Sequence, residues 1–125
     1  MIAVLDASAL LALINREKGT GAVLPVLEAA RMSTVNIAEV LSKLSDIGMP
    51  PAVAEDLISR LGLTVEPFEL SHAERAARLR PTTRHLGLSL GDRACLALAQ
   101  ERGLPAYSAD QSWSDLADVT VRIIR

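Results

Sequence analysis

The chain has 125 residues, of which 50% are hydrophobic and 2% aromatic, and it carries a formal net charge of −2 with a pI near 5.6. This length suits a single domain spanning residues 1–125 with an aliphatic core, and the charge argues against a protein that binds nucleic acid by bulk positive charge alone. No apolar run approaches the roughly 18 residues of a membrane helix and no secretory signal pattern is present, so we expect a cytoplasmic protein without a membrane segment.

Short apolar strands alternate with longer segments of helical periodicity, a pattern typical of parallel β-α-β construction. In chain order the pattern predicts a strand at 2–5, helices at 7–15 and 21–30, a strand at 31–34, helices at 35–47 and 52–61, a strand at 63–68, helices at 72–80 and 90–102, a strand at 105–108, a helical turn at 110–113 and a strand at 119–124. We therefore predict a three-layer α/β/α sandwich around a mostly parallel sheet of about five strands.

Capping signals mark several helix ends. Ser71, with Glu74 three residues later, predicts a capping box at the start of a helix that stops near Pro81. Ser89 is predicted to cap the following helix, and Gly103 to end it.

Acidic residues recur where strands give way to helices. Asp6 directly follows the apolar run 2–5, Asp92 and Asp110 stand at helix beginnings, and Glu39 lies early in the helix after the second strand. Because the carboxyl ends of parallel strands meet at one edge of a sheet, we expect these carboxylates to converge. Carboxylates so close would raise one another's pKa values unless a cation were bound. Oxygen ligands suit Mg²⁺ or Mn²⁺, either of which supports attack of water on a phosphodiester.

Each acid also has an ordinary structural explanation. Asp6 and Asp110 are suited to capping the helical segments that follow them, and Asp92 supports a helix N-terminus. Glu39, four residues before Lys43, is spaced for a surface ion pair.

Other polar residues are secondary candidates for the same site. Ser8 and Ser108 lie two residues from an acid and are placed either to orient its carboxylate or to cap a turn, and Asn36 opens the helix that carries Glu39. Outside the acids discussed above, basic residues outnumber acidic ones by two, and Arg84 and Arg93 are candidate phosphate contacts. The alternative for these arginines is a solvated helix face.

The histidines and the cysteine point to no further site. His72 and His85 are not spaced as a pair of metal ligands. The single cysteine, Cys95, excludes an internal disulfide, and its apolar neighbours favour a buried position.

The segments around these acids resemble the motifs of the PIN domain family, most nearly its VapC-type toxins. The matching segments are 4–10 (VLDASAL), 36–40 (NIAEV), 88–94 (LSLGDRA) and 108–110 (SAD). The resemblance implies a Mg²⁺-dependent endoribonuclease, with Mn²⁺ as a substitute, whose RNA cleavage is silenced by a VapB-like antitoxin. It also implies a homodimer, and it gives the role of catalytic metal ligands to Asp6, Glu39, Asp92 and Asp110. Whether Asp115 joins them is not settled by the sequence.

Two other function classes compete with this hypothesis. The acids of a non-catalytic binding module would serve only as caps and surface pairs. A phosphatase with Asp6 as nucleophile would want a second aspartate two residues later, where this chain has Ser8.

Overall fold

The computed structural model describes residues 2–125 and folds them into five β-strands and six α-helices. The strands are β1 (Val4–Leu5), β2 (Arg31–Ser33), β3 (Thr64–Glu66), β4 (Ala106–Ser108) and β5 (Val121–Ile123). The helices are α1 (Ala7–Ile14), α2 (Thr20–Val23), α3 (Thr34–Asp46), α4 (Pro51–Ser59), α5 (Leu70–Thr83) and α6 (Leu90–Arg102). Short 3₁₀ turns lie at Leu24–Val26, Arg84–Leu86 and Gln111–Asp115. Within residues 2–125, no helix combines the length and apolar character needed to cross a bilayer.

The strands form one parallel sheet in the order β3-β2-β1-β4-β5. β1 is central, with Val4 in register with Arg31 of β2 on one side and with Ala106 of β4 on the other. The chain builds outward from β1 through β2 to β3, then crosses to the opposite side of β1 for β4 and β5. Ligand sites of open parallel sheets lie beyond the carboxyl end of the strand where the order reverses, which here is β1.

Helices cover both faces of the sheet because side chains alternate along each strand. Leu5 points into a cluster with Leu44 and other residues of α1, α3 and α4. Val4 points the opposite way, into a cluster with Leu96 of α6 and the fully buried Trp113. The predicted three-layer sandwich around a five-stranded parallel sheet is therefore confirmed.

One buried carboxylate helps to join α6 to the far edge of the sheet. Glu66, at the end of β3, accepts hydrogen bonds from Arg31 of β2 (3.1 Å) and from Arg102 of α6 (Nε, 3.1 Å). Burial by itself raises the pKa of Glu66, but the hydrogen bonds from Arg102 and Arg31 outweigh it and hold the pKa below its usual value. The carboxylate thus stays ionised and paired.

The predicted capping box of Ser71 and Glu74 is wrong. The N-cap of α5 is Glu69, whose backbone N–H donates to Nδ1 of His72 at 3.2 Å. The other ring nitrogen of His72 contacts the Glu101 carboxylate of α6. His72 is buried, and its partner lies 29 residues away in sequence. The local capping pattern at Ser71 is therefore overridden by packing between α5 and α6.

Prolines account for two further differences from the predicted elements. The predicted helix at 21–30 ends as α2 at Val23 and continues only as the 3₁₀ turn Leu24–Val26, because Pro25 lacks the amide that an α-helix would use. Pro81, by contrast, lies inside α5, which runs on to Thr83. The Thr83 hydroxyl donates to the Leu79 carbonyl at 2.6 Å and helps to hold this last turn.

The boundaries of α6 agree with the sequence prediction. The Ser89 hydroxyl accepts a hydrogen bond from the Asp92 amide (3.1 Å), and Asp92 Oδ2 accepts one from the Ser89 amide (2.8 Å). At the other end Gly103 has φ of 63°, a left-handed conformation that favours glycine.

We predict opposite effects of the same substitution at two glycines. Gly103→Ala should lower the free energy of unfolding by roughly 1–2 kcal/mol, because alanine is strained at positive φ. Gly21→Ala, inside α2 and with nothing within 4 Å of its added Cβ, should raise it by about 0.4–1 kcal/mol. Urea unfolding of both variants measures the difference. Equal effects would contradict a conformational cost at Gly103, whose added Cβ also meets nothing within 4 Å.

Candidate functional site

The acidic residues singled out in the sequence line one pocket. Asp6, Glu39, Asp92 and Asp110 surround a cavity of about 250 Å³ at the carboxyl end of β1. Asp6 follows β1, Glu39 comes from the second turn of α3, Asp92 from the first turn of α6, and Asp110 from the end of β4. The parallel register and the central place of β1 account for this convergence.

Asp6 is the buried member of the group, with 5% of its surface exposed. Its Oδ1 accepts hydrogen bonds from the Ser8 hydroxyl (2.7 Å) and the Ala9 amide (2.8 Å). Its Oδ2 accepts one from the Ser108 hydroxyl at 2.6 Å. Asp6 is thus the N-cap of α1. Donors from the start of α1 and from the end of β4 together fix its carboxylate in one orientation.

Burial raises the pKa of Asp6 from 3.8 to about 6. The hydrogen bonds from Ser108, Ser8 and Ala9 lower it in part, and the negative charge of Asp92 raises it further. The pKa of the Cys95 thiol is also raised well above its usual value. Burial is the largest cause, and the negative charges of Asp6, Asp92 and Glu39 add to it. Cys95 is fully buried, as the sequence predicted.

Asn36 joins α3 to α6 at the pocket. Its Nδ2 donates to Glu39 Oε1 (2.8 Å) and to the Gly91 carbonyl (2.9 Å), while its buried Oδ1 has no hydrogen-bond partner within residues 2–125. Gly91 allows this approach, because an added Cβ would lie 2.6 Å from Glu39 Oε1. The glycine before Asp92 therefore makes room for the Glu39 carboxylate, a role that its position in the sequence did not suggest.

Asp92 and Asp110 also act as helix caps. Asp92 Oδ2 is bound to the Ser89 amide, and Asp110 Oδ1 accepts hydrogen bonds from the Ser112 amide (2.9 Å) and hydroxyl (2.7 Å). Asp110 is exposed, whereas Asp92 is half-buried. The capping roles weighed from the sequence are thus present together with the shared pocket.

The acidic side chains of the pocket offer carboxylate oxygens as metal ligands. Oxygen ligands of this kind suit a hard divalent cation such as Mg²⁺. In the side-chain orientations seen here, no three His, Cys, Asp or Glu side chains within residues 2–125 are grouped closely enough to hold a metal ion. Asp92 and Asp110 are instead engaged in capping hydrogen bonds. Asp92 Oδ1, Asp110 Oδ2 and Glu39 Oε2 have no hydrogen bond within that range, so each carboxylate keeps an oxygen available.

The remaining predicted residues lie elsewhere. Arg84 is exposed beyond α5, and Arg93 is half-buried with its guanidinium donating to the Ala76 carbonyl at 2.9 Å. Neither lines the acidic pocket, and Asp115 lines a different pocket near α5.

Lys43 does not form the ion pair that its spacing from Glu39 predicts, and it has no ion-pair partner within the described part of the chain. It instead lines the acidic pocket, one helical turn beyond Glu39.

The chain matches the model of one protein family and is similar in fold to several solved structures. The model of the PIN domain family matches residues 3–119. The fold is similar to VapBC2 from Rickettsia felis bound to a promoter DNA fragment, with a TM-score of 0.77, 15% identity and 98% of each chain covered. It is also similar to a toxin–antitoxin complex from Klebsiella pneumoniae, with a TM-score of 0.76, 19% identity, and 94% of this chain and 95% of that chain covered.

A third similar structure is VapC20 from Mycobacterium tuberculosis, described as a toxin that cleaves the sarcin–ricin loop. The TM-score is 0.75 at 18% identity, covering 94% of this chain and 98% of that chain. At such identities these similarities establish a common fold. The sequence matches none of the curated proteins with which it was compared.

We predict that Asp6→Asn stabilises the metal-free protein at neutral pH. The pKa of Asp6 is higher in the folded state (about 6) than its ordinary value (3.8), so ionisation of Asp6 opposes folding. This penalty is absent below pH 4, grows between pH 4 and 6, and reaches at most about 3 kcal/mol above pH 6. Asparagine avoids the charge and can still cap α1.

Urea unfolding in EDTA across pH 4–8 measures this effect. The variant should be the more stable protein above pH 6, and its advantage should shrink as the pH falls towards 4. An advantage that is absent at pH 7, or constant over the whole range, would contradict a charged and buried Asp6.

Proposed function

The chain belongs to the PIN domain family, and we propose that it is a Mg²⁺- or Mn²⁺-dependent endoribonuclease that hydrolyses RNA phosphodiester bonds. The observation that carries the proposal is the convergence of carboxylates from distant segments on one pocket at the carboxyl end of β1. A buried Asp6 whose charge is unfavourable without a counter-ion adds to it.

Asp6 and Asp92 are the proposed main metal ligands, with Glu39 and Asp110 completing the site or orienting water. The hydroxyls of Ser8 and Ser108 keep the Asp6 carboxylate in place, which reduces the reorganisation needed on metal binding. Asp92 and Asp110 line the cavity, and each keeps one carboxylate oxygen without a hydrogen bond within residues 2–125. A divalent ion held by these carboxylates would supply a nucleophilic water and screen the charge of the phosphate.

The surroundings of Glu39 and Asp110 also favour hydrolysis of RNA at this pocket. Asn36 donates a hydrogen bond to Glu39 Oε1, which leaves Oε2 available to accept a proton from a water. Asp110 is exposed and lines the same pocket, so the site is open to solvent on that side.

We further propose that this nuclease is the toxin of a type II toxin–antitoxin pair, silenced by a VapB-like antitoxin and acting as a homodimer. Support for the toxin–antitoxin role comes from the solved structures of similar fold, among them a toxin–antitoxin complex and VapBC2. VapC20, the similar structure described as a toxin that cleaves the sarcin–ricin loop, supports RNA as the substrate class.

A non-catalytic binding module is the second candidate. Its supporting observation is that Asp92 and Asp110 already serve as helix caps and that no metal-holding group is assembled within residues 2–125. An aspartate-nucleophile phosphatase has less support, because both Asp6 oxygens accept hydrogen bonds and Ser8 stands where such an enzyme needs an acid.

We predict that Asp6→Asn and Asp92→Asn each lower Mn²⁺-dependent RNA cleavage by more than about 100-fold, because each removes a proposed metal ligand. Mn²⁺ should raise the melting temperature of the wild-type protein, with about 2.7 kcal/mol of stabilisation at one hundred times its Kd. The shift should be much smaller in both variants. Cleavage of labelled RNA and thermal unfolding with and without Mn²⁺ measure the two effects.

Asp115→Asn is the matched control, since this exposed acid lies outside the pocket and should leave both measurements unchanged. Wild-type protein that neither cleaves RNA nor responds to millimolar Mn²⁺ would favour the binding module. Full cleavage by Asp6→Asn after rigorous purification would rule out the proposed metal site.

We predict that Gly91→Ala lowers cleavage by at least about tenfold with little loss of stability. The added methyl group would occupy the place of the Glu39 carboxylate, which is the flexible end of a side chain and can move away. Alanine is also the better helix former within α6. Gly21→Ala, where the added Cβ meets nothing, is the control; unchanged cleavage by Gly91→Ala would argue against a role for Glu39.

A further inference from the structure

We propose that Lys43 binds a backbone phosphate of the RNA strand beside the bond that is cut, in a groove between α1 and α3. This inference rests on the proposed nuclease function and names the part of the surface that positions its substrate.

The two cavities adjoin along one line of side chains. The acidic pocket and a second cavity of about 420 Å³ share Ser8, Leu11 and Lys43 as lining residues. The second cavity continues from there towards Asn15 at the end of α1 and Ile47 at the end of α3. Together they form a groove that leads away from the carboxylates, with Lys43 at the junction.

The charges along this groove leave Lys43 as the available cation. In the second cavity the other basic residue, Arg125, donates to the Lys18 carbonyl (3.1 Å) and lies 3.5 Å from the Glu17 carboxylate. Lys43 is exposed and has no ion-pair partner in the part of the chain that the structure describes. Its ammonium group is therefore free to meet an external anion.

The acidic pocket creates a need for such a cation. A nucleic-acid strand carries a phosphate at every nucleotide, and the carboxylates that hold a metal ion repel those phosphates that the ion does not contact. A lysine where the two cavities meet offsets this repulsion beside the reacting centre. Farther along, Leu11, Leu44 and Ile47 offer an apolar surface for a sugar or base, whereas Glu17 and Asp46 disfavour a second phosphate.

The test compares Lys43→Ala with Lys43→Arg in the full-length protein. The probe is a pool of labelled single-stranded RNAs of random sequence, cleaved with Mn²⁺ over a range of salt concentrations. Lys43→Ala should raise KM about tenfold and leave kcat within about twofold, because a phosphate contact outside the reacting centre contributes to binding. The slope of log KM against log salt should fall by about 0.7, as expected for one lost phosphate contact to a single strand. Lys43→Arg, which keeps the charge, should restore both.

Lys18→Ala is the matched control, since it removes the other lysine of the chain and lines neither cavity. The Mn²⁺-induced rise in melting temperature should persist in Lys43→Ala, which separates this proposal from the metal site. Unchanged KM and salt slope in Lys43→Ala, beside an active wild-type protein, would overturn the proposal for Lys43 alone. A loss of antitoxin inhibition without a change in KM would overturn it in favour of a protein-binding surface. An inactive wild-type protein would overturn the nuclease function itself.

Discussion

The burial of the Asp6 carboxylate at the end of the central strand is the constraint on which the site depends. Three donors hold this carboxylate, and two of them come from residues two and three positions later in the chain. These bonds do not remove the cost of burial, since the pKa of Asp6 still lies near 6. A protein that keeps such a group gives up stability at neutral pH, and a bound cation would recover it.

The topology explains why the other acids reach Asp6. β1 lies between β2 and β4, so the segments that follow all three strands open onto the same rim. α6 approaches from the opposite layer, and Asn36 bridges to it through the Gly91 carbonyl. The pocket therefore combines both helical layers of the sandwich, and the absence of a side chain at Gly91 sets how closely they meet.

Local signals were enough to predict much of this arrangement, and longer-range contacts account for the rest. The apolar run before Asp6 and the capping pair of Ser89 and Asp92 are patterns within a few residues, so the strand and α6 were predictable. The true start of α5 depends on His72 meeting Glu101 in another helix, which no local pattern reports. The orientation of Lys43 was equally hidden, because helical spacing gives the face of a residue but not its partner.

The hydrogen bond between Ser108 and Asp6 spans 102 positions of the chain, and β1 itself pairs with β4. A nascent polypeptide released before Ser108 lacks both the neighbouring strand and one donor to the buried carboxylate. The Asp6 carboxylate of such a fragment would be held by Ser8 and Ala9 alone.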